Sequence, residues 1–291
     1  MTNKQCAACD EILSGSDEAV WIDRHLCGSC APLFGTLISD GFPKDQFVVM
    51  YQPKYQVTSK RITAVEALVR WEHPQLGLLT PDKFLKELIQ LGFSFDLFDA
   101  VYMTAMKDVV NWNDNGKRLD ISINVNVSDI VDRRFDQAVE LLDELADKYS
   151  STVTFELTEL QEHDEELRER IHSILSFRTI KMSIDDYGMG HSSLARLLQS
   201  EFTEIKLDRA FIQEMCCNER YYLAIQHVIT LAKKLGMTVV AEGVETLKQE
   251  SKLILLGCDY LQGFHIGRPM RASQIDDLLE PLCDSQMSKA L

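Results

Sequence analysis

Acidic and amide side chains recur at the ends of otherwise apolar runs, and that is where chemistry is to be sought. Glu66 stands in AVEALV, Asn126 in INVNVS and Glu156 in TFELTE. Asp185 and Asp186 close SIDD, Lys206 and Asp208 interrupt IKLD, Glu242 ends VVAE, and Gln262 lies in YLQG. A single acid near a strand end reads equally well as a helix cap or an ion-pair partner. Six carboxylates converging on one rim would repel one another and raise their own pKa values, at a cost in stability that cations remove. All-oxygen ligands favour hard ions, Mg2+ or Mn2+, over zinc. The adjacent Asp185 and Asp186 suit two ions, one carboxylate bridging, and two ions about 3.5–4 Å apart stabilise the attacking and leaving oxygens of a phosphoryl transfer. The chemistry implied is metal-assisted hydrolysis of a phosphate ester.

Such residues converge only if the elements carrying them do. Eight runs read as strands: 47–55, 62–71, 120–128, 153–160, 181–187, 204–209, 238–244 and 260–266. Amphipathic helical stretches lie between them, among them YYLAIQHVITLAKKLG, where Ala224, Val228, Leu231, Ala232 and Leu235 recur at helical spacing and Gly236 is a stop signal. Eight strands alternating with helices over about 250 residues predict a TIM-like (β/α)8 barrel, whose active site sits at the C-terminal ends of its strands. A doubly wound open sheet is the alternative, but no Gly-rich phosphate turn follows any strand.

A second constellation precedes the barrel. Cys6-x-x-Cys9 and Cys27-x-x-Cys30 form two tight thiolate pairs, which predict one structural zinc in a small module over 1–40, ahead of a barrel domain over 41–291. Unligated cysteines and a redox CxxC are the other readings, and His25 is a rival ligand. A segment this short has little core, so metal would supply much of its stability. Cys216, Cys217, Cys258 and Cys283 are scattered and read as structural.

Composition narrows the class further. The 291 residues are 45% hydrophobic and 26% charged, as in soluble globular proteins, and the net charge of −15 disfavours a nucleic-acid polymer as partner. No run approaches the roughly 20 apolar residues of a membrane helix, and MTNKQCAACDE has no signal-peptide core, so the expected compartment is the cytoplasm.

The hexamer EALVRW (66–71) resembles the signature of the EAL-domain family of cyclic di-GMP phosphodiesterases. Further blocks are similar to the same family in order: YQP (51–53), RWEHP (70–74), NVS (126–128), ELTE (156–159), DDYGMGHSSL (185–194), IKLDRAFI (205–212), AEGVET (241–246) and QGFHIGRPM (262–270). The resemblance implies hydrolysis of cyclic di-GMP to linear pGpG. It implies that Glu66, Asn126, Glu156 and Asp185 hold one metal, with Asp185 bridging to a second held by Asp186 and Glu242. Lys206 would neutralise developing charge or orient the water, held by Asp208, and Glu242 is alternatively a general base. Gln52 and Arg70 would contact substrate, Gln262 would support the metal-bound water, and Glu159 and Glu245 would anchor the catalytic loop. A homodimer is implied, with the zinc module as a possible docking surface for a protein partner. Tyr187, Met189 and His191 replace the family's usual Phe, Thr and Tyr, His265 falls in a second variant stretch, and the metal ligands are all present. A non-hydrolysing nucleotide receptor and an interaction adaptor on the same barrel are the competing readings.

Overall fold

The computed structural model describes residues 41–157, 165–187 and 201–279, together with the backbone of 18–21 and 24–27. Cys6, Cys9, Cys30, Cys283, Glu159, Met189 and His191 lie outside the described residues. The N-terminal strands β1 (Glu18–Trp21) and β2 (Arg24–Cys27) pair antiparallel, with Glu18 opposite Cys27. Two compact units divide the chain: residues 1–49 with 69–104, and residues 50–68 with 105–291.

The larger unit is a barrel. Its strands are β3 (Phe47–Gln56), β4 (Arg61–His73), β6 (Asp120–Val125), β7 (Val153–Leu157), β8 (Ile180–Tyr187), β9 (Glu204–Leu207), β10 (Thr238–Ala241) and β11 (Tyr260–Gln262), with β5 (Gly77–Leu79) set aside for the smaller unit. From β4 through β6, β7, β8, β9 and β10 to β11, each neighbour runs parallel to the last, and β3 pairs with both β11 and β4 to close the ring. All eight expected strands are present.

Two details depart from the sequence reading. β3 runs antiparallel to β11, whereas an ordinary (β/α)8 barrel is parallel throughout. The four residues 57–60 that join β3 to β4 make a tight turn, with Lys60 at φ 58°, and a parallel connection would need a dozen residues or more. Four strands also end early: at Val125, Leu207, Ala241 and Gln262 rather than at 128, 209, 244 and 266. Their polar ends turn off into loops or helix caps, and the site is built there.

Helices follow the strands. In chain order they are α1 (Leu85–Gln90), α2 (Ser94–Asp114), α3 (Val127–Ile130), α4 (Arg134–Tyr149), α5 (Glu165–Leu175), α6 (Arg209–Glu214), α7 (Glu219–Lys234), α8 (Leu247–Leu256) and α9 (Ala272–Leu278). On α7 the buried residues are Ile225, Ile229 and the expected Ala232, while Ala224, Val228 and Leu231 are half-buried. Leu235 is exposed, and Gly236 stops the helix at φ 77°. Strand β7 is buried along its whole length, as a parallel strand covered on both faces must be.

The smaller unit is organised by aromatic rings. Phe47 stacks on Phe42 and Trp71 at centroid distances of 5.0 and 5.3 Å and meets Phe84 edge-on at 5.5 Å. Trp71 and Phe84 have no exposed surface, and Trp71 Nε1 donates to Gln46 Oε1 at 2.9 Å. The end of β4 pairs here with β5, Trp71 opposite Leu79. No helix among the described residues is long and apolar enough to cross a membrane.

Candidate active site

Inside the barrel, Lys206 on β9 is fully buried and gathers acids from four other strands. Its Nζ donates to Glu156 Oε2 at 2.7 Å and lies 2.6 Å from Glu242 Oε1, 3.0 Å from Asp185 Oδ1 and 3.7 Å from Glu66 Oε2. Glu66 sits on β4, Glu156 on β7, Asp185 on β8, and Glu242 follows the last residue of β10. The backbone N–H of Glu242 donates to Leu207 O, extending the β9–β10 ladder by one residue and fixing where this acid emerges. Gly243 at φ 65° then turns the chain away, and a Cβ there would lie 2.2 Å from the Arg209 side chain.

Adjacent residues of a regular strand point to opposite faces, so paired aspartates ought to separate. They do not here, because β8 carries a bulge. Ile184 pairs with Ile205 and Tyr187 with Leu207, so β8 uses one more residue than β9 over the same step, and Asp186 takes a left-handed φ of 50°. One carboxylate oxygen from each of Asp185, Asp186 and Glu242 lies within 4.8 Å of the others. Asp185 Oδ1 also accepts from the Asp186 backbone N–H at 3.0 Å.

Gln262 closes the wall. Its Nε2 donates to Glu66 Oε2 at 2.5 Å and to Gln52 Oε1 at 3.2 Å, while Gln52 Nε2 donates to Gly267 O at 3.0 Å. A cleft of about 180 Å³ opens over Gln52, Glu66, Glu242 and Gln262, with Arg209 and Phe264 along its side. Glu245 accepts from Arg209 Nη2 at 2.8 Å and Gln213 Nε2 at 3.0 Å, both on α6, so it ties the 242–246 loop to that helix. Thr246 caps α8 through a reciprocal pair with Gln249, whose Oε1 also takes the Glu245 N–H.

Three expected residues stand differently. Asp208, expected to hold Lys206, instead accepts from Ala210 N at 2.8 Å as the N-cap of α6. The strand ends at Leu207, and the Asp208 side chain lies beside Asp186 at the rim, where it helps push that carboxyl up. Asn126 is the half-buried N-cap of α3, and its N–H donates to Asp129 Oδ2 at 2.9 Å. Two residues earlier, Asn124 donates to Glu66 Oε1 at 2.8 Å. Arg70 lies on the part of β4 that belongs to the smaller unit, and its Nη1 donates to Val69 O at 2.7 Å.

Sequence reasoning missed a second buried ammonium. Lys54 on β3 donates to Glu156 Oε1 and to Ser122 Oγ, both at 2.6 Å, and lies 4.0 Å from Glu204 Oε1. Its signal was a lysine two residues beyond Gln52 on a strand that otherwise reads as buried. Glu204 carried the same signal, two residues before Lys206 on β9.

Charge explains the site's tuning. Burial pushes Glu156 up, but the ammonium groups of Lys206 and Lys54 outweigh it and hold the carboxyl well below the usual range. Burial also works against charge on Lys206, and four surrounding acids hold its pKa well above the usual lysine value. Glu242 is driven up to about 8 by burial, with Lys206 opposing and Asp185 and Glu66 adding to the rise. Glu66 is raised by burial and by Glu156, and Asp186 by burial and by Asp185. Seven acids, counting Glu204 and Asp208, face two lysines, an excess of carboxylates that divalent cations would offset. Oxygen donors in close approach, held partly neutral by protons for want of positive charge, fit hard metal ions.

Known proteins are similar in sequence and fold. The chain is 37% identical over 239 residues to the bifunctional diguanylate cyclase/cyclic di-GMP phosphodiesterase MucR of Pseudomonas aeruginosa, covering 79% of this chain and 34% of that protein. It is 32% identical over 233 residues to the cyclic di-GMP phosphodiesterase RocR of the same organism, covering 79% of this chain and 59% of RocR. It thus spans between about a third and three fifths of the length of these relatives. The solved PaMucR phosphodiesterase in complex with c-di-GMP superposes with a TM-score of 0.74 at 31% identity, over 83% of this chain and 99% of that one. The EAL domain family matches residues 38–269, nearly the whole barrel, and the chain belongs to that family.

Proposed function

We propose that this barrel hydrolyses cyclic di-GMP to linear pGpG, using two hard divalent cations, Mg2+ or Mn2+. The carrying observation is the convergence of Asp185, Asp186 and Glu242 within 4.8 Å beside a buried lysine, in a chain of the EAL domain family. Asp185, Asp186 and Glu242 would hold one ion; Glu66, Asn126, Glu156 and Asp185 would hold the other. The ions, when bound, would withdraw charge from the phosphate and ease deprotonation of the attacking water. Lys206 brings a fixed positive charge toward the phosphate oxygens as they gain charge. Glu242 borders the cleft and is suited to orient the water and take its proton. Gln262 and Gln52 hold Glu66 in its rotamer and offer amide donors to the nucleotide, and Arg70 is proposed to grip a phosphate.

Purified protein with Mg2+ or Mn2+ should convert cyclic di-GMP to pGpG, resolved by chromatography, and chelation should stop it. Wild-type protein that binds the nucleotide with either metal and leaves it intact would be a receptor instead. The proposed setting is a cytoplasmic homodimer, with Cys6, Cys9, Cys27 and Cys30 binding one structural zinc in a module ahead of residue 41. Elemental analysis should find close to one zinc per chain that mild chelation does not remove, and light scattering should find a dimer.

A further inference from the structure

We infer that Lys54 is a positioning residue for the metal site: it grips one oxygen of Glu156 from inside the barrel, so that the other faces the mouth. The inference rests on the metal-dependent reading above and adds a residue to it. Glu156 is fully buried, and each of its oxygens has one ammonium partner, Lys54 on Oε1 at 2.6 Å and Lys206 on Oε2 at 2.7 Å. The two lysines are not equivalent. Lys206 is also shared among Glu242, Asp185 and Glu66, all at the mouth, so its hold on Oε2 is one of four competing attractions. Lys54 faces the other way: its further partners are Ser122 Oγ at 2.6 Å on β6 and Glu204 Oε1 at 4.0 Å on β9.

A divalent ion arriving among the mouth acids has to take Oε2 from Lys206. It has no cause to take Oε1 from Lys54. With Oε1 fixed, the Glu156 carboxylate cannot rotate, and Oε2 is presented whether an ammonium or a metal occupies the mouth. Partners behind a ligand that fix its orientation typically contribute about 10–100-fold to metal affinity. The direction of the effect separates this role from a simple charge effect, since deleting a nearby positive charge should tighten cation binding and loss of orientation should weaken it.

The test is calorimetric binding of Mg2+ and Mn2+, without nucleotide, to wild type, Lys54→Met and Lys54→Gln, with folding checked by circular dichroism and melting. Either folded variant should bind the ions about 10–100-fold more weakly. The metal dependence of turnover should shift by the same factor, with kcat recovering at high metal and KM for the nucleotide unchanged. A folded variant that binds Mg2+ within threefold of wild type, or more tightly, overturns the inference. If neither variant folds, wild-type protein carries the test through NMR of the lysine ammonium groups. On adding Mg2+, the Lys206 Nζ resonance should shift while Lys54 keeps its hydrogen-bond coupling to Glu156, and loss of that coupling overturns the inference. Wild-type protein that binds Mg2+ but leaves cyclic di-GMP intact would defeat the hydrolytic reading and leave Lys54's role standing. Variants that bind metal normally beside an active wild type would defeat the Lys54 inference alone.

Discussion

The smaller compact unit is centred on a ring cluster, whereas the barrel buries a cluster of charges within its apolar core. In the smaller, Phe42, Phe47, Trp71 and Phe84 hold together through ring packing, with one indole N–H satisfied by Gln46. In the barrel, the same chain buries Lys54, Lys206, Glu66 and Glu156 within a few ångströms of each other. Ring packing is favourable as it stands, because every contact adds dispersion and removes apolar surface from water. The barrel cluster carries an excess of negative charge that its own lysines do not balance. One region is therefore optimised for stability, and the other holds its charges for function at a cost to stability.

That contrast can be broken most sharply at Glu66. Glu66→Gln keeps the shape and one of the two acceptor oxygens used by Asn124 and Gln262, with one of those amides turning to accept from the new NH2, while removing a charge that burial and Glu156 disfavour. Turnover should fall below detection, while the melting temperature of the metal-free protein stays level or rises. A large drop in melting temperature would show that the charge stabilises the fold. Lys206→Ala is next, with kcat lowered by roughly 10²–10³, the size expected on removing one preorganised charge from a transition state. Steady-state kinetics at saturating metal checks it. In the other unit, Trp71→Ala should cost about 3–5 kcal/mol in urea unfolding. Whatever fraction remains folded should bind Mg2+ as wild type does, measured by calorimetry.

The smallest effect sharpens the comparison through pH. Glu242 titrates near 8 in the folded protein against an ordinary 4.5, so the folded state binds more protons than the unfolded state between those values. Metal-free protein should therefore lose stability as pH rises from about 5 to 8. Glu156 acts in the opposite sense, but its contribution is lost only in acid, as pH falls below the usual carboxylate range. Melting curves across this window should slope downward without metal and flatten with excess Mg2+. Equal slopes with and without Mg2+ would mean that the ion does not reach Glu242.

The barrel and most of its acids were legible because a parallel strand buried on both faces should be apolar, and each acid interrupts that pattern. Nine polar residues, six of them acids, interrupted the runs toward one rim. Lys54 was not read this way, although it interrupts FVVMYQPKY as the acids interrupt their own strands. Only closure of the ring through β3 turns it inward. Asp208 was legible as a rim acid and stands beside Asp186, but its place as the N-cap of α6 lies one residue past the end of β9. The antiparallel first strand was implicit in the short connection, residues 56–61, left between the first two expected strands, which the expectation of a parallel barrel passed over. Cys6, Cys9, Cys30 and Glu159 fall outside the described residues.

The bulge in β8 has a consequence for how such a site can be gained or lost. The convergence of Asp185 and Asp186 depends on a residue count: one extra position on β8 relative to β9. Deleting a neighbouring residue such as Tyr187 would leave both aspartates in the sequence and restore regular alternation, sending one of them into the barrel wall. A homologue could thus keep every acidic letter of this site and still lack its geometry, so the length of the strand belongs to the signature as much as the residues do.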